Sequence, residues 1–167
     1  MFPAADKAGQ QAALDDNLRA VDEALEVGAS CLVLVVGGLP KGSKDIAGAR
    51  QQVHDGIASL LQYSRRMGMP LAIEPLHPMY AADRACINTL AQANDLCDAL
   101  GDDGIGIALD AYHVWWDPEL HAQIRRAGKK RLLAFHICDW LVPTADLLLD
   151  RGMMGDGVID IRPIRAA

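Results

Sequence analysis

Residues 105–113 read IGIALDAYH, an apolar run typical of a buried strand that ends on Asp110 and His113. The strands of a parallel sheet are covered on both faces, so they stay apolar along most of their length. In such proteins the functional side chains lie at the carboxyl ends of the strands, where the chain emerges from the core. This stretch therefore predicts a parallel α/β fold with a site at its strand ends.

Two further runs have the same form. LAIEP (71–75) ends its apolar part on Glu74, and LLAFHICDW (132–140) carries His136 after its apolar residues. Together with Asp110, these side chains form a candidate ligand set for one divalent metal. Carboxylates suit Mn²⁺ or Mg²⁺, and the imidazole extends the choice to Co²⁺ or Zn²⁺.

Strand-like and helical patterns alternate along the whole chain. The strand-like runs lie at 31–36, 71–74, 105–110 and 132–137, and the helical patterns at 7–27, 47–67, 89–100 and 117–128. This alternation indicates right-handed crossovers and a parallel sheet. A flavodoxin-like open sheet would need a fifth strand and usually a phosphate loop. Functional residues at successive strand ends favour a (β/α)₈ barrel, so we predict a single partial TIM barrel domain over residues 1–167.

Composition and charge exclude several classes of protein. A chain of 167 residues with 51% hydrophobic content can form one domain with a core. The net charge of −6 and the lack of a basic stripe argue against a nucleic-acid partner. The N-terminus has no leader-like apolar segment, and no run approaches the roughly 20 apolar residues that cross a bilayer. With four cysteines and no CxxC pair, we expect a cytoplasmic protein with reduced thiols and no membrane partner.

On these residues the chain resembles the xylose isomerase-like TIM barrel family, the group of sugar phosphate isomerases and epimerases. The resemblance extends from about residue 8 to residue 164. Each motif is weak alone, but their order and spacing form a specific joint signal. The motifs are the Glu of IEP (73–75), D-x-x-H (110–113), H-x-x-D (136–139) and DR…GDG-x-ID (150–160).

The resemblance implies roles for these residues. Glu74, Asp110 and His136 match three of the family's four metal ligands, and Glu74 also matches its acid/base residue. The visible strands would be the third to sixth of eight. The fourth ligand is a Glu at the end of the eighth strand, and this sequence ends at Ala167 before the seventh. We therefore expect a barrel fragment that lacks two βα units at each end.

The resemblance also implies substrate contacts. His113 matches a position that contacts substrate in the isomerases, and Arg151 resembles a residue that binds substrate oxygen or phosphate. His77, in LHPMY, lies near the predicted mouth of the barrel. It is a further candidate for substrate contact, with a role in its loop as the alternative.

Each ligand candidate also has a structural interpretation. Glu74 could accept amide hydrogen bonds from its loop, and Asp110 could cap the loop after its strand. His113 and His136 could be packed histidines of the core. Their shared position at strand ends favours the functional interpretation.

The activity implied by the resemblance is isomerisation or epimerisation of a sugar, sugar phosphate or keto-polyol. It would proceed by proton abstraction next to a carbonyl through a metal-stabilised enediolate. Dehydration of a keto-inositol is a close variant. The partner would be a small-molecule sugar or sugar phosphate.

Two alternatives belong to other classes. The same superfamily contains abasic-site DNA endonucleases of the endonuclease IV type. Their D-R-H motif reads Asp150-Arg151-Gly152 here, which counts against a nuclease. The second alternative is a non-catalytic truncated barrel, because missing strands would leave open edges that invite association. A homo-oligomer is one way to cover such edges, and the sequence leaves the oligomeric state open.

Overall fold

The computed structural model describes residues 2–167, which fold as alternating helices and strands around one parallel sheet. The elements follow in chain order: α1 (Lys7–Glu26), β1 (Leu32–Leu34), α2 (Ile46–Met67), β2 (Leu71–Ile73), α3 (Leu90–Leu100), β3 (Ile105–Asp110), α4 (Ala111–Val114), α5 (Leu120–Arg131), β4 (Leu132–His136), β5 (Asp139–Trp140), β6 (Arg151–Gly152) and α6 (Ile161–Ala166). The four longer strands pair in the order β1-β2-β3-β4, all parallel. This confirms the predicted mixed α/β fold with four parallel strands and flanking helices.

The sheet is most deeply buried at its centre. All residues of β2 and β3 are buried, whereas β1 and β4 lie at the two edges of the four-stranded sheet and are partly exposed. The helices contribute apolar stripes to the core, and in α2 this stripe includes Val53, Ile57 and Leu60. Since the central strands carry Glu74 and Asp110 at their ends, these carboxylates emerge from the most deeply buried part of the sheet.

Side-chain caps and glycines fix the helix ends. Thr89 caps α3 by accepting a hydrogen bond from the Gln92 amide at 3.1 Å. The Gln92 side chain accepts from the Asn88 amide at 2.8 Å, one residue before the position of a standard capping box. Gly68 and Gly101 end α2 and α3 in the left-handed conformation, which only glycine adopts without strain.

The helix before β4 differs in its details from the sequence prediction. It begins at Leu120 and not at the Asp117-Pro118 pair, because Asp117 shapes the preceding turn and bonds to the Glu119 and Leu120 amides. Gly128, the predicted end, has φ 62° and ψ 175° and interrupts the regular helix. The last residues before β4 therefore follow a kink.

The sequence gives no signal for a second, small sheet. β5 and β6 form a two-stranded antiparallel ribbon in which Trp140 pairs with Arg151. This ribbon follows β4 directly and brings Arg151 back towards the ends of the parallel strands.

None of the helices in residues 2–167 is long and apolar enough to span a membrane.

The pairing of β3 with β4 contains a one-residue bulge. Ile107 pairs with Leu132, but the next residue, Ala108, pairs with Ala134, so Leu133 is an extra residue in β4. Gly106 gives this residue room, because a Cβ atom at Gly106 would lie 2.6 Å from the Leu133 Cγ.

The bulge decides which side chain of β4 lies beside Asp110. After the bulge Asp110 pairs with His136. Without the extra residue Asp110 would pair with Phe135, and a shift of one residue moves every following side chain to the opposite face of a strand. The bulge therefore places His136 on the same side of the sheet as Asp110.

We predict that Gly106→Ala lowers the free energy of unfolding by about 2 kcal/mol, because the new methyl group overlaps both Leu133 and the carbonyl oxygen of Arg131. Urea denaturation measures this change. Gly104→Ala is the matched control. Its Cβ would meet only flexible side-chain atoms, of Arg65, Asp102 and Leu61, and we expect a cost below about 1 kcal/mol. Equal costs for the two variants would contradict the role of Gly106.

Candidate active site

The three predicted metal ligands meet at the carboxyl edge of the sheet. Glu74 follows β2 directly, Asp110 ends β3 and His136 ends β4. One ligand atom of each residue lies within 4.8 Å of those of the other two. His136 Nδ1 is 2.8 Å from Glu74 Oε1. The parallel register thus brings together three side chains that are far apart in the sequence.

The donor set fits a divalent cation. Two carboxylates and one imidazole are ligands that Mn²⁺, Mg²⁺, Co²⁺ and Zn²⁺ accept. Both carboxylates are buried, and buried carboxylates are costly unless a positive charge balances them. Burial raises the pKa of Glu74 above its ordinary value, the Asp110 charge adds to this, and the hydrogen bond with His136 acts in the opposite direction.

Arg151 supplies positive charge next to Asp110. Its Nη1 lies 3.2 Å from Asp110 Oδ2, and its guanidinium carbon lies 4.2 Å from the centre of the Tyr112 ring. Asp110 Oδ1 accepts the Tyr112 amide hydrogen at 2.9 Å. The structure therefore brings Arg151 into the site, held by an ion pair and an aromatic face.

His113 also lies at this edge and is buried. Arg151 Nη2 is 3.4 Å from His113 Nε2. Burial lowers the pKa of His113 to about 3, and the charges of Arg151 and His77 act in the same direction, so His113 is neutral at pH 7. Since the guanidinium can only donate, Nε2 is the acceptor and Nδ1 carries the proton. Within residues 2–167 this buried Nδ1 has no hydrogen-bond partner.

His77 lies beside the site in an aromatic cluster. Its ring centre is 5.5 Å from that of Trp116 and 5.2 Å from that of Trp140. Its Nδ1 accepts the Met79 amide hydrogen at 3.3 Å, and burial lowers the pKa of His77. These contacts favour the loop role, and substrate contact by His77 stays a prediction.

A cavity of about 360 Å³ opens at the same edge. Segments after all four parallel strands line it, and among its residues are Val35, Glu74, His113, Leu148 and Arg151. This volume lies within the range of small-molecule sites. A larger cavity of about 520 Å³ lies between β4, α5 and α6, but none of the predicted site residues lines it. The smaller cavity is therefore the candidate substrate site.

Two tyrosines tie the loop between β5 and β6 to this cavity. The hydroxyl groups of Tyr80 and Tyr112 both donate to the carbonyl oxygen of Leu147, each at 2.9 Å. Leu148, the next residue, lines the cavity. The loop thus forms part of the cavity wall.

Asp139, in β5, organises the segment that follows β6, a role that the H-x-x-D pattern did not reveal. Its carboxylate is fully buried and accepts amide hydrogens from Trp140, Gly155 and Ile159 at 2.8 to 2.9 Å. Burial raises the pKa of Asp139, but hydrogen bonds from backbone amides, that of Gly157 included, outweigh this and hold the pKa below its ordinary value.

The fold and this arrangement of strand-end residues define a TIM barrel-type protein. The family model described as "Xylose isomerase-like TIM barrel" matches residues 1–167. The chain belongs to this family, which confirms the resemblance seen in the sequence.

Among the relatives, an inosose isomerase from Bacillus velezensis is 27% identical over an alignment of 112 positions, which covers 63% of this chain and 37% of that protein. A protein from Sinorhizobium meliloti 1021 with a known crystal structure is 65% identical in sequence to this chain. The two structures superpose with a TM-score of 0.94, and the match covers 99% of this chain and 62% of that one. A crystal structure of the IolI protein with a bound zinc atom is 21% identical, with a TM-score of 0.74, covering 98% of this chain and 58% of that one. The chain thus spans less than two thirds of the length of these relatives.

We predict that Glu74→Gln and His136→Ala each lower the affinity for Mn²⁺ and Zn²⁺ by about tenfold or more, because each removes a donor atom. Equilibrium dialysis with metal analysis measures the affinity. His121→Ala is the control, since His121 is an exposed residue of α5. Unchanged affinity in both ligand variants would contradict the metal assignment.

We also predict that Asp139→Asn lowers the free energy of unfolding by about 2 kcal/mol near pH 7, because a neutral amide accepts the buried amide hydrogens less well. The folded-state pKa of Asp139 is lowered, so its contribution is present above the ordinary carboxyl pKa and is lost as the pH falls through the folded-state value. Denaturant unfolding at pH 7 and pH 3 measures both effects. The control is Asp156→Asn, an exposed residue of the segment after β6. The Asp139→Asn variant should lose less free energy of unfolding at pH 3 than at pH 7. An equal loss at both pH values would contradict a role for the ionised Asp139 carboxylate.

Proposed function

We propose that the protein is a metal-dependent isomerase or epimerase that acts on a sugar, a sugar phosphate or a keto-polyol. The observation that carries the proposal is the convergence of Glu74, Asp110 and His136, with ligand atoms within 4.8 Å of one another, beside a cavity of about 360 Å³. Membership of the xylose isomerase-like family and the similarity to an inosose isomerase support this choice of reaction.

Glu74, Asp110 and His136 would hold a divalent cation. When bound, the cation would supply positive charge beside two neighbouring oxygens of a hydroxy-ketone, which favours the negative charge that develops on them.

Glu74 is the residue that we assign to proton transfer. Its buried carboxylate lies at the cavity wall, and His136 fixes its orientation through the contact of 2.8 Å. In an isomerisation it would take the proton from the carbon beside the carbonyl and return it to the neighbouring carbon on the same face. In an epimerisation it would serve one face only, and a second acid on the opposite face, the role that the family resemblance gives to the eighth-strand Glu, would deliver the proton there. A positioned base of this kind contributes about 10²- to 10⁴-fold to the rate.

His113 and Arg151 would position the substrate. Both line the cavity, and both carry N–H groups that can donate to hydroxyl or carbonyl oxygens. The buried Nδ1 of His113 offers a directional donor, whereas Arg151 offers positive charge. His77 would support the wall through its contacts with Trp116 and Trp140.

An abasic-site nuclease of the same fold has less support. The net charge is −6, whereas proteins that bind the DNA backbone present basic surfaces. Gly152 stands where the nuclease motif has histidine, which removes a ligand from the metal cluster implied by that motif.

Solvent hydrogen exchange tests the proposal. We expect the Mn²⁺-loaded protein in D₂O to introduce deuterium beside the carbonyl of at least one member of a panel of ketopentoses, ketohexoses, their phosphates and inososes. Proton NMR measures this. Glu74→Gln should lower the rate by about 100-fold or more. Glu119→Gln, an exposed carboxylate variant at the start of α5, is the control.

Two results would overturn the proposal. One is the absence of exchange across the whole panel. The other is cleavage of DNA at abasic sites by the metal-loaded protein, which would assign it to the nuclease class.

A further inference from the structure

Arg84 is a cation of the cavity wall that the proposed reaction leaves without a role. It follows the short 3₁₀ turn Pro78–Tyr80 in the loop after β2 and lines the same cavity as Glu74 and Arg151. Within residues 2–167, no carboxylate oxygen lies within 4.0 Å of its guanidinium nitrogens. Arg151, by comparison, is already paired with Asp110.

The Arg84 guanidinium is held in place without a neutralising partner. Its guanidinium carbon lies 5.1 Å from the centre of the Tyr80 ring, and its amide bonds to the Tyr80 carbonyl at 3.0 Å. Tyr80 is buried and fixed in turn, because its hydroxyl donates to the Leu147 carbonyl. An aromatic face orients a guanidinium but leaves its N–H donors free.

The charges around Arg84 leave room for a ligand anion. Asp83 also lines the cavity but is an exposed residue and forms no ion pair with Arg84. The charge of Arg84 contributes to the lowered pKa of Asp146, but the Asp146 carboxylate accepts its hydrogen bonds from the Leu148 and Leu149 amides. The planar donor pattern of a free guanidinium matches a carboxylate or a phosphate through two parallel hydrogen bonds.

We propose that the cavity takes a substrate with an anionic group, a carboxylate or a phosphate, and that Arg84 binds this group. The inference rests on the proposed isomerase function and narrows its substrates, given above as sugars, sugar phosphates or keto-polyols, to those that carry a carboxylate or a phosphate. The reacting carbons would lie at Glu74, and the anionic group would lie towards the loop after β2.

Three ligands with the same five-carbon skeleton test the proposal: ribitol, ribonate and ribitol 5-phosphate. None has a ketone or aldehyde, so their binding is independent of turnover. Calorimetric titration of the Mn²⁺-loaded protein measures each affinity. The bound cation and Arg151 attract any anion. The comparison between variants therefore identifies how much of the anion affinity is due to Arg84.

The variants are Arg84→Gln, Arg84→Lys and the control Arg66→Gln. Arg66 also lies over a tyrosine ring, 5.7 Å from the centre of Tyr63, but on α2 and away from the cavity. In Arg84→Gln we expect the affinity for at least one of the two anions to fall by about tenfold or more and that for ribitol by less than about threefold. Arg84→Lys should keep part of the anion affinity, and Arg66→Gln all of it.

The anion whose affinity falls more in Arg84→Gln identifies the group as carboxylate or phosphate. The proposal is overturned if Arg84→Gln leaves both anion affinities unchanged, or if ribitol loses as much affinity as the anions. Anion binding through Arg84 without any solvent exchange would uphold this inference and contradict the isomerase function. Solvent exchange with neutral sugars, together with unchanged anion affinities in Arg84→Gln, would support the isomerase function and contradict anion binding by Arg84.

Discussion

The candidate site depends on the one-residue bulge at Leu133 in β4. Asp110 ends β3, and only the extra residue in the neighbouring strand lets His136 pair with it in place of Phe135. The bulge in turn needs the absence of a side chain at Gly106, where a Cβ would overlap Leu133. The close approach of Leu133 and of the Arg131 carbonyl oxygen to Gly106 in the buried sheet therefore decides whether an imidazole or a phenyl ring lies beside the buried carboxylates, and so whether the strand ends can hold a cation.

This dependence explains how much the sequence could predict. Apolar runs ending on Glu74, Asp110 and His136 indicate parallel strands with polar ends, because burial and strand-end geometry are local properties of each run. The register between two runs is not local, since it depends on how Gly106 and Leu133 meet across strands. The roles of Asp139 and Arg84 were missed for a similar reason. Asp139 acts through amides up to 20 residues away, and Arg84 is notable only because no carboxylate among residues 2–167 pairs with it.

Charge at the strand ends is balanced by residues from separate loops. Glu74 and Asp110 place two buried carboxylates side by side, an arrangement that is costly without compensating positive charge. Arg151 compensates part of it through Asp110, and His136 contacts Glu74. His113 adds no charge, because its pKa is about 3. A divalent cation bound by the three strand-end ligands would complete this balance.

The loops that carry the cationic side chains are linked to each other. The Leu147 carbonyl accepts hydrogen bonds from Tyr80 and from Tyr112, and these two rings lie under the Arg84 and Arg151 guanidinium groups respectively. One carbonyl oxygen therefore fixes the aromatic supports of both arginines. A displacement of the loop at Leu147 would move both supports together, and Leu148 with them. The aromatic supports of both cationic groups are thus linked through a loop that contributes no residue to the candidate metal site.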